Sequence, residues 1–518
     1  MTDLTSPQAV RHALLAGEEI ALIDLREEGP YALAHPLFAA QLSPSRLELD
    51  AFDRIPRKAT PIVLYDDGEG LVAGAAATLG AIGYTDVTEL EGGLQGWANA
   101  GYELFQDVNS ASKAFGELVE ARRHTPYITA EDARAAIETD ADIVVLDARR
   151  FDEYRTMSIP KGVSVPGAEL VLRAREIAPD PATTIIVNCA GRTRSIIGAQ
   201  SLINAGVPNR VVALRNGTIG WTLAGQTLET GREARFPEAS QGVADDARTR
   251  SRKVAYRAGV KFIDADALAL LERDTRRTLY RFDVRTPEEY AAGRLPGFRS
   301  APGGQLVQET DMFAPVRGAR IVVFDDRGVR ANMTASWLAQ MGWDAYVLEE
   351  TAAPLTESAW RATRPDIARA ETIGLLALAG LLERSEATVV DLSPSKVHAR
   401  GHIPGAWFAI RARLAADIET VPVTGKLVFT AADEDLAHLA AADHPGSLVL
   451  AGGTDAWTAS GLPIETGLHN AASAPDDIYR RPYEGTDNPT DAMQAYLDWE
   501  YGLVAQLERD ATHGFRVI

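Results

Sequence analysis

The sequence predicts an α/β chain of four tandem units, each a mostly parallel β-sheet flanked by helices, followed by a helical C-terminal tail. Three observations carry that prediction. An apolar run ending in aspartate occurs four times, at Ala21-Leu22-Ile23-Asp24, Val144-Val145-Leu146-Asp147, Leu279-Tyr280-Arg281-Phe282-Asp283 and Thr388-Val389-Val390-Asp391. A second apolar run and an Ala-rich stretch of helical character follow each of them. The repeat length, roughly 110–135 residues, is that of one small domain and too long for a solenoid repeat. Short apolar runs alternating with helical patterns read as parallel strands covered by helices.

The first unit is placed at residues 1–106, the second at 107–237, the third at 238–368 and the fourth at 369–470, with the tail at 471–518. The second apolar runs are Ile62-Val63-Leu64-Tyr65, Ile185-Ile186-Val187-Asn188, Ile321-Val322-Val323-Phe324 and Leu427-Val428-Phe429-Thr430. Three units close on Gly and Trp, at Gly96-Trp97, Gly220-Trp221 and Gly452-Gly453 with Trp457; the third ends less regularly, near Trp360. The joints are expected at Gln106–Arg123, Phe236–Arg252 and Thr363–Glu371, the second reading as an exposed polar linker. In the tail, Thr490 opens an amphipathic helix with Met493, Tyr496, Leu497, Tyr501, Val504 and Leu507 at helical spacing. This stripe is read as packing on a neighbouring unit, with a homo-oligomer interface as the alternative.

Composition narrows the function. A net charge of −20 and a pI near 5.0 argue against nucleic-acid and anionic-membrane partners. The N-terminus has neither a basic nor an apolar signal region, and the longest apolar run, near Leu375 to Leu382, is far too short for a membrane span. With one cysteine, no intrachain disulfide can form, so a reducing, cytoplasmic location is expected. No dinucleotide fingerprint, P-loop or Cys/His metal cluster occurs; the i, i+4 pair His398 and His402 precedes a Gly-Pro turn. No metal and no cofactor is expected.

That cysteine, Cys189, follows the second apolar run of the second unit, in Asn188-Cys189-Ala190-Gly191-Arg192-Thr193-Arg194-Ser195. The order is buried strand, polar loop, helix. It places the thiol at the carboxyl end of a parallel strand, where open α/β sheets bind ligands. Loop N–H groups and a helix N-terminus form an anion nest there. They favour the thiolate, as do the guanidiniums of Arg192 and Arg194. Gly191 is expected to supply a conformation open only to glycine, and Ser195 to cap the helix. From Asp147 to Arg194 there are eight Lys/Arg and six Asp/Glu, a locally basic segment in an acidic chain. Asp147 and Arg149 form an Asp-x-Arg motif that recurs as Asp24/Arg26 and Asp283/Arg285. Its recurrence points to a structural role, with an ion pair to Glu153 expected.

These features together resemble the rhodanese family of sulfurtransferases, in a four-domain tandem form. The resemblance rests on the Asp-x-Arg strand end, Glu153-Tyr154, the cysteine loop with Arg194-Ser195, and the turns Gly401-His402-Ile403-Pro404-Gly405-Ala406 and Gly293-Arg294-Leu295-Pro296-Gly297. It covers nearly all of residues 1–470. It departs from the usual Cys-x-x-Gly-x-Arg-Ser loop in that Arg192 takes the glycine place. The resemblance implies that Cys189 is the catalytic nucleophile. It would take a sulfur from a small anionic donor such as thiosulfate and pass it to cyanide, a thiol or a protein cysteine. Ala190, Gly191, Arg192, Thr193, Arg194 and Ser195 would bind the donor. The matching loops begin at Asp66 and Asp325 in units one and three and at Ala431 in unit four, so those units are expected to be silent. The alternatives are a persulfide carrier, sensor or scaffold; a mercaptopyruvate sulfurtransferase, whose loop reads Cys-Gly-Ser/Thr-Gly-Val-Thr; and a cysteine phosphatase. The last needs Cys-x5-Arg, one residue longer than found here.

Overall fold

The computed structural model of the chain describes residues 3–350, 354–356 and 363–518. Trp360 lies outside the described residues. Among the described residues there are four sheets. That of the second unit runs, from edge to edge, Tyr127–Ile128, Val211–Leu214, Thr184–Asn188, Ile143–Asp147, Gly162–Ser164, with every pairing parallel. The other three keep the same order. Central strands such as Ile20–Asp24 and Ile62–Tyr65 are buried along their whole length, because helices cover both faces of a parallel sheet. Among the described residues no helix is long and apolar enough to cross a membrane.

One strand breaks the unit pattern. Val316–Arg317 leaves the third unit and pairs antiparallel with Ala21 and Ile20 of the first sheet. Residues of units one and three, with Phe115, Leu503 and Leu507, form one continuous apolar core. These two units are thus locked together, not strung as beads.

The first two joints are helices, whereas residues 363–371 at the third have no regular structure. Ser110–Arg123 is a 14-residue helix, buried along most of its length. The stretch expected to be an exposed linker forms the helix Gln241–Arg257, which buries Ala244, Ala247, Ser251, Val254 and Ala255. Its polar residues occupy the solvent side and conceal a narrow stripe of small residues at helical spacing.

The Asp-x-Arg motif makes the same closed knot in three sheets. Arg149 Nε and Nη2 donate to Asp147 Oδ1 and Oδ2 at 2.9 and 2.7 Å, and Nη2 also donates to the Met157 carbonyl at 2.6 Å. Arg26 with Asp24 and Arg285 with Asp283 repeat it. In the fourth unit Ser393 stands at the Arg place, and His398 Nδ1 bonds Asp391 at 2.9 Å instead. The recurring tryptophans are core: Trp97, Trp221 and Trp457 are buried, and each indole N–H donates to the carbonyl six residues on.

Candidate active site

Strand register identifies the position that the four units share. Asp147 lies opposite Asn188, Asp24 opposite Tyr65, Asp283 opposite Phe324 and Asp391 opposite Thr430. The next residue in each second strand is Cys189, Asp66, Asp325 and Ala431. The cysteine therefore occupies the strand-end slot, and the helix Thr193–Asn204 follows it.

The loop is held from behind by the helix Gly217–Leu223. Thr218 N–H donates to the Cys189 carbonyl at 2.9 Å and Ile219 N–H to that of Ala190 at 3.0 Å. Gly217 is at φ +53°, and a Cβ there would fall 2.3 Å from the Cys189 carbonyl oxygen, so only glycine allows the approach. Gly93 and Gly453 meet Asp66 and Ala431 in the same way.

Cys189 is buried, with 1% of its surface exposed. Burial pushes its thiol up from the ordinary value. Arg194 and the hydroxyl and N–H of Ser195 pull it back, and Glu500 pushes it further up. Arg194 is pinned by Glu153 in a bidentate pair, both bonds 2.8 Å. For Glu153, burial works upward but is outweighed by Arg194, which brings the carboxyl down to about 2. The ion pair expected between Arg149 and Glu153 is thus not the one formed: Asp147 holds Arg149, and Glu153 serves Arg194.

Three expectations about loop residues change. Arg192 does not face a donor site. Its Nε and Nη2 bind the two oxygens of Glu117 at 2.8 Å, Nη2 also meets Glu120, and Nη1 donates to Asn216 at 3.1 Å. Its guanidinium lies 4.1 Å from the Tyr501 ring centre. With all three nitrogens engaged, it ties the loop to the joint helix Ser110–Arg123. Gly191 does not use the left-handed region; a Cβ there would sit 3.1 Å from Tyr496 Cε1 and 3.3 Å from Glu500 Oε2, so the glycine makes room for the tail. Ser195 does not cap the helix but lies inside it, its hydroxyl bonded back to the Arg192 carbonyl at 2.8 Å. Thr193 and Ala190 are buried.

The tail packs on neighbouring units, as its apolar stripe predicted, but the sequence reading gave it no part in the cysteine site. The helix Thr490–Asp510 lies across the cysteine loop, and Tyr483, Met493, Tyr496 and Leu497 pack on Ala190 and Ile219. Its buried stripe includes Glu500 and Leu503, whereas Tyr501, expected inside, is 44% exposed. A glutamate at i+4 from Tyr496 on the apolar side was the available signal. Beside the loop, a cavity of about 440 Å³ reaches Arg194 and Tyr483, with Arg150, Lys396, Arg400 and Arg481 also in its walls. It draws on units two, three and four and on the tail.

A buried cysteine at the end of a parallel strand, beside a guanidinium, places the chain among α/β domains that carry a thiol at the sheet's carboxyl edge. The family model for the rhodanese-like domain matches residues 6–100, 129–224 and 265–351, over half of the chain, and the protein belongs to that family. It is similar to a crystal structure of thiosulfate sulfurtransferase from Pseudomonas aeruginosa, with 57% identity over the full length of both chains and a TM-score of 0.97. A rhodanese-related protein from Thermoplasma volcanium matches at 24% identity over 20% of this chain and 97% of its own, with a TM-score of 0.18. No curated protein matches.

Proposed function

We propose that the protein is a thiosulfate sulfurtransferase working through Cys189, and that units one, three and four are catalytically silent, with boundaries as given above. The observation that carries this reading is the Cys189 slot: the chain's one thiol stands where the other units place Asp66, Asp325 and Ala431, beside Arg194 and Ser195. The full-length likeness to a thiosulfate sulfurtransferase supports it.

The Cys189 thiolate attacks the outer sulfur of thiosulfate. The sulfur–sulfur bond of the donor breaks, and sulfite leaves with the bonding pair. A persulfide remains on Cys189. Cyanide or a thiolate then takes the outer sulfur, and the bonding pair returns to Cys189 as thiolate. Loop N–H groups and Arg194 stabilise the negative sulfur in both states. Residues 190–195 line this slot, but Arg194 and Ser195 do the electrostatic work and Arg192 holds the loop in place. A reducing cytoplasm would keep the lone thiol active. Steady-state thiocyanate formation from thiosulfate and cyanide tests the reading. Parallel double-reciprocal lines, the mark of a two-step covalent route, are expected, with no turnover in Cys189→Ser. Turnover retained in that variant overturns the proposal.

The near-complete burial of Cys189 favours a second reading, a persulfide carrier that loads once and waits for a partner. Sustained turnover with free thiosulfate and cyanide excludes it; a single loading followed by arrest supports it.

A further inference from the structure

The C-terminal helix brings a carboxyl group to the cysteine loop, and nothing in the transfer scheme above uses it. Glu500 is fully buried. Its Oε1 accepts from the Tyr496 hydroxyl at 2.9 Å and from Thr193 Oγ1 at 3.5 Å. Among the described residues its Oε2 has no hydrogen-bond partner, and it points at Gly191, 3.3 Å from where a Cβ would stand. An unpaired buried carboxylate oxygen is costly, so a group kept in this way calls for a reason.

The charged and titratable groups around it come from three elements. From the joint helix, Lys113 is paired with Asp107 at 2.8 Å, and Glu117 is bound to Arg192. From the loop come Arg192 and Cys189 itself. From its own helix comes Tyr496. Burial and Glu117 push the Glu500 carboxyl up to about 8, while Lys113, Tyr496 and Arg192 pull it down. In turn Glu500 is one of the groups that raise Cys189.

We propose that Glu500 is a positioning residue of the Cys189 loop: its carboxyl, carried by the C-terminal helix and aimed at Gly191, sets how readily the Cys189 thiol gives up its proton. When Glu500 is neutral, the field of Arg194 and the loop N–H groups acts on the sulfur unopposed. When it is ionised, a negative charge faces the loop and disfavours both the thiolate and a dianionic donor. The tail is thereby part of the site, and the inference rests on the reading of Cys189 as nucleophile.

The test uses the full chain, in which Cys189 is the only thiol. Ultraviolet thiolate absorbance is followed against pH for wild type, Glu500→Gln, Tyr496→Phe and Glu508→Gln, each minus the same variant carrying Cys189→Ser. Glu500→Gln is expected to lower the midpoint by about tenfold in hydrogen-ion terms, the size of one pKa unit. Tyr496→Phe, which removes a bond favouring ionised Glu500, gives a smaller shift of the same sign. Glu508→Gln, on the exposed side of the same helix, leaves the midpoint unchanged. A folded Glu500→Gln protein with the wild-type midpoint overturns the proposal. If that variant does not fold, an unchanged Tyr496→Phe midpoint does so. The titration needs no sulfur donor. A protein that shows the shift but never takes up sulfur from thiosulfate would refute the sulfurtransferase reading and leave this one standing.

Discussion

The Cys189 loop and the Asp325 loop occupy the same place in two copies of one fold, yet they treat negative charge in opposite ways. In the third unit the nest is already filled. Asp325 Oδ2 accepts from the N–H groups of Arg327, Val329 and Arg330, each at 3.3 Å, and Oδ1 accepts from that of Ala331 at 3.2 Å. Arg330, at the place of Arg194, is surrounded by Asp325, Asp326, Glu169 and Glu289. In the second unit a thiol stands in the slot, and among the described residues Arg194 answers to Glu153 alone among carboxylates within salt-bridge reach. The first unit follows the third: Asp66 takes the N–H groups of Gly68 and Leu71. The same nest thus serves as an internal brace when an aspartate fills it and, under the proposed function, as a reactive site when a cysteine does. Access differs too. The Asp325 loop opens into a cavity of about 720 Å³, whereas the tail lies over Cys189.

Four experiments would break or sharpen this contrast. Arg192 has no counterpart in the third unit, where Gly328 stands at its place. Arg192→Ala leaves Glu117 buried without its partner and should cost about 3–5 kcal/mol of stability. The expected result is a lowered Tm with the KM for thiosulfate nearly unchanged; a KM effect without a Tm effect would restore Arg192 to the donor site. Arg194→Ala should slow sulfur loading on the order of 100–1,000-fold, as loss of one preorganised electrostatic donor does. Stopped-flow loading would read it.

Asp325→Cys, made in Cys189→Ser, transplants the nucleophile. The Asp325 side chain is buried, as Cys189 is, so the new thiol should react with an alkylating agent at a rate like that of Cys189. Because Arg330 remains surrounded by acids, it should load from thiosulfate about tenfold more slowly than Cys189, a barrier difference of about 1.4 kcal/mol. Loading as fast as Cys189 would show that the cysteine alone makes the difference. A further effect is on acid stability. Glu153 is held at about 2 in the fold against an ordinary 4.5, so its pairing stabilises the protein fully above about pH 4.5. That contribution fades as pH falls toward 2, and Arg194→Gln should remove the dependence from the acid unfolding curve.

Much of this was legible in the residues. The recurring aspartates and second apolar runs locate the four sheets, because a buried parallel strand has to be apolar and its polar end has to be satisfied locally. The same recurrence marked Asp147 and Arg149 as a structural knot. The cysteine slot followed from one residue type in one loop. What escaped depended on direction and on distance along the chain. The backbone position of Arg192 was clear, but which way its side chain turns is decided by Glu117 and Glu120, some 72–75 residues earlier. Gly191 was read as a conformational need, whereas it answers to Tyr496 and Glu500, about 300 residues away. The joint Gln241–Arg257 looked like a linker because its buried residues are alanine, serine and valine, too small to show as an apolar stripe.

The most direct test of the account is intact-protein mass spectrometry before and after thiosulfate, without reductant, on wild type and Cys189→Ser. The prediction is a gain of one sulfur atom on wild type, lost again on adding cyanide, and no gain on the variant. Equal gain on both proteins, or none on either, would contradict the claim that the single thiol in the fourfold-repeated slot is what this protein uses to move sulfur.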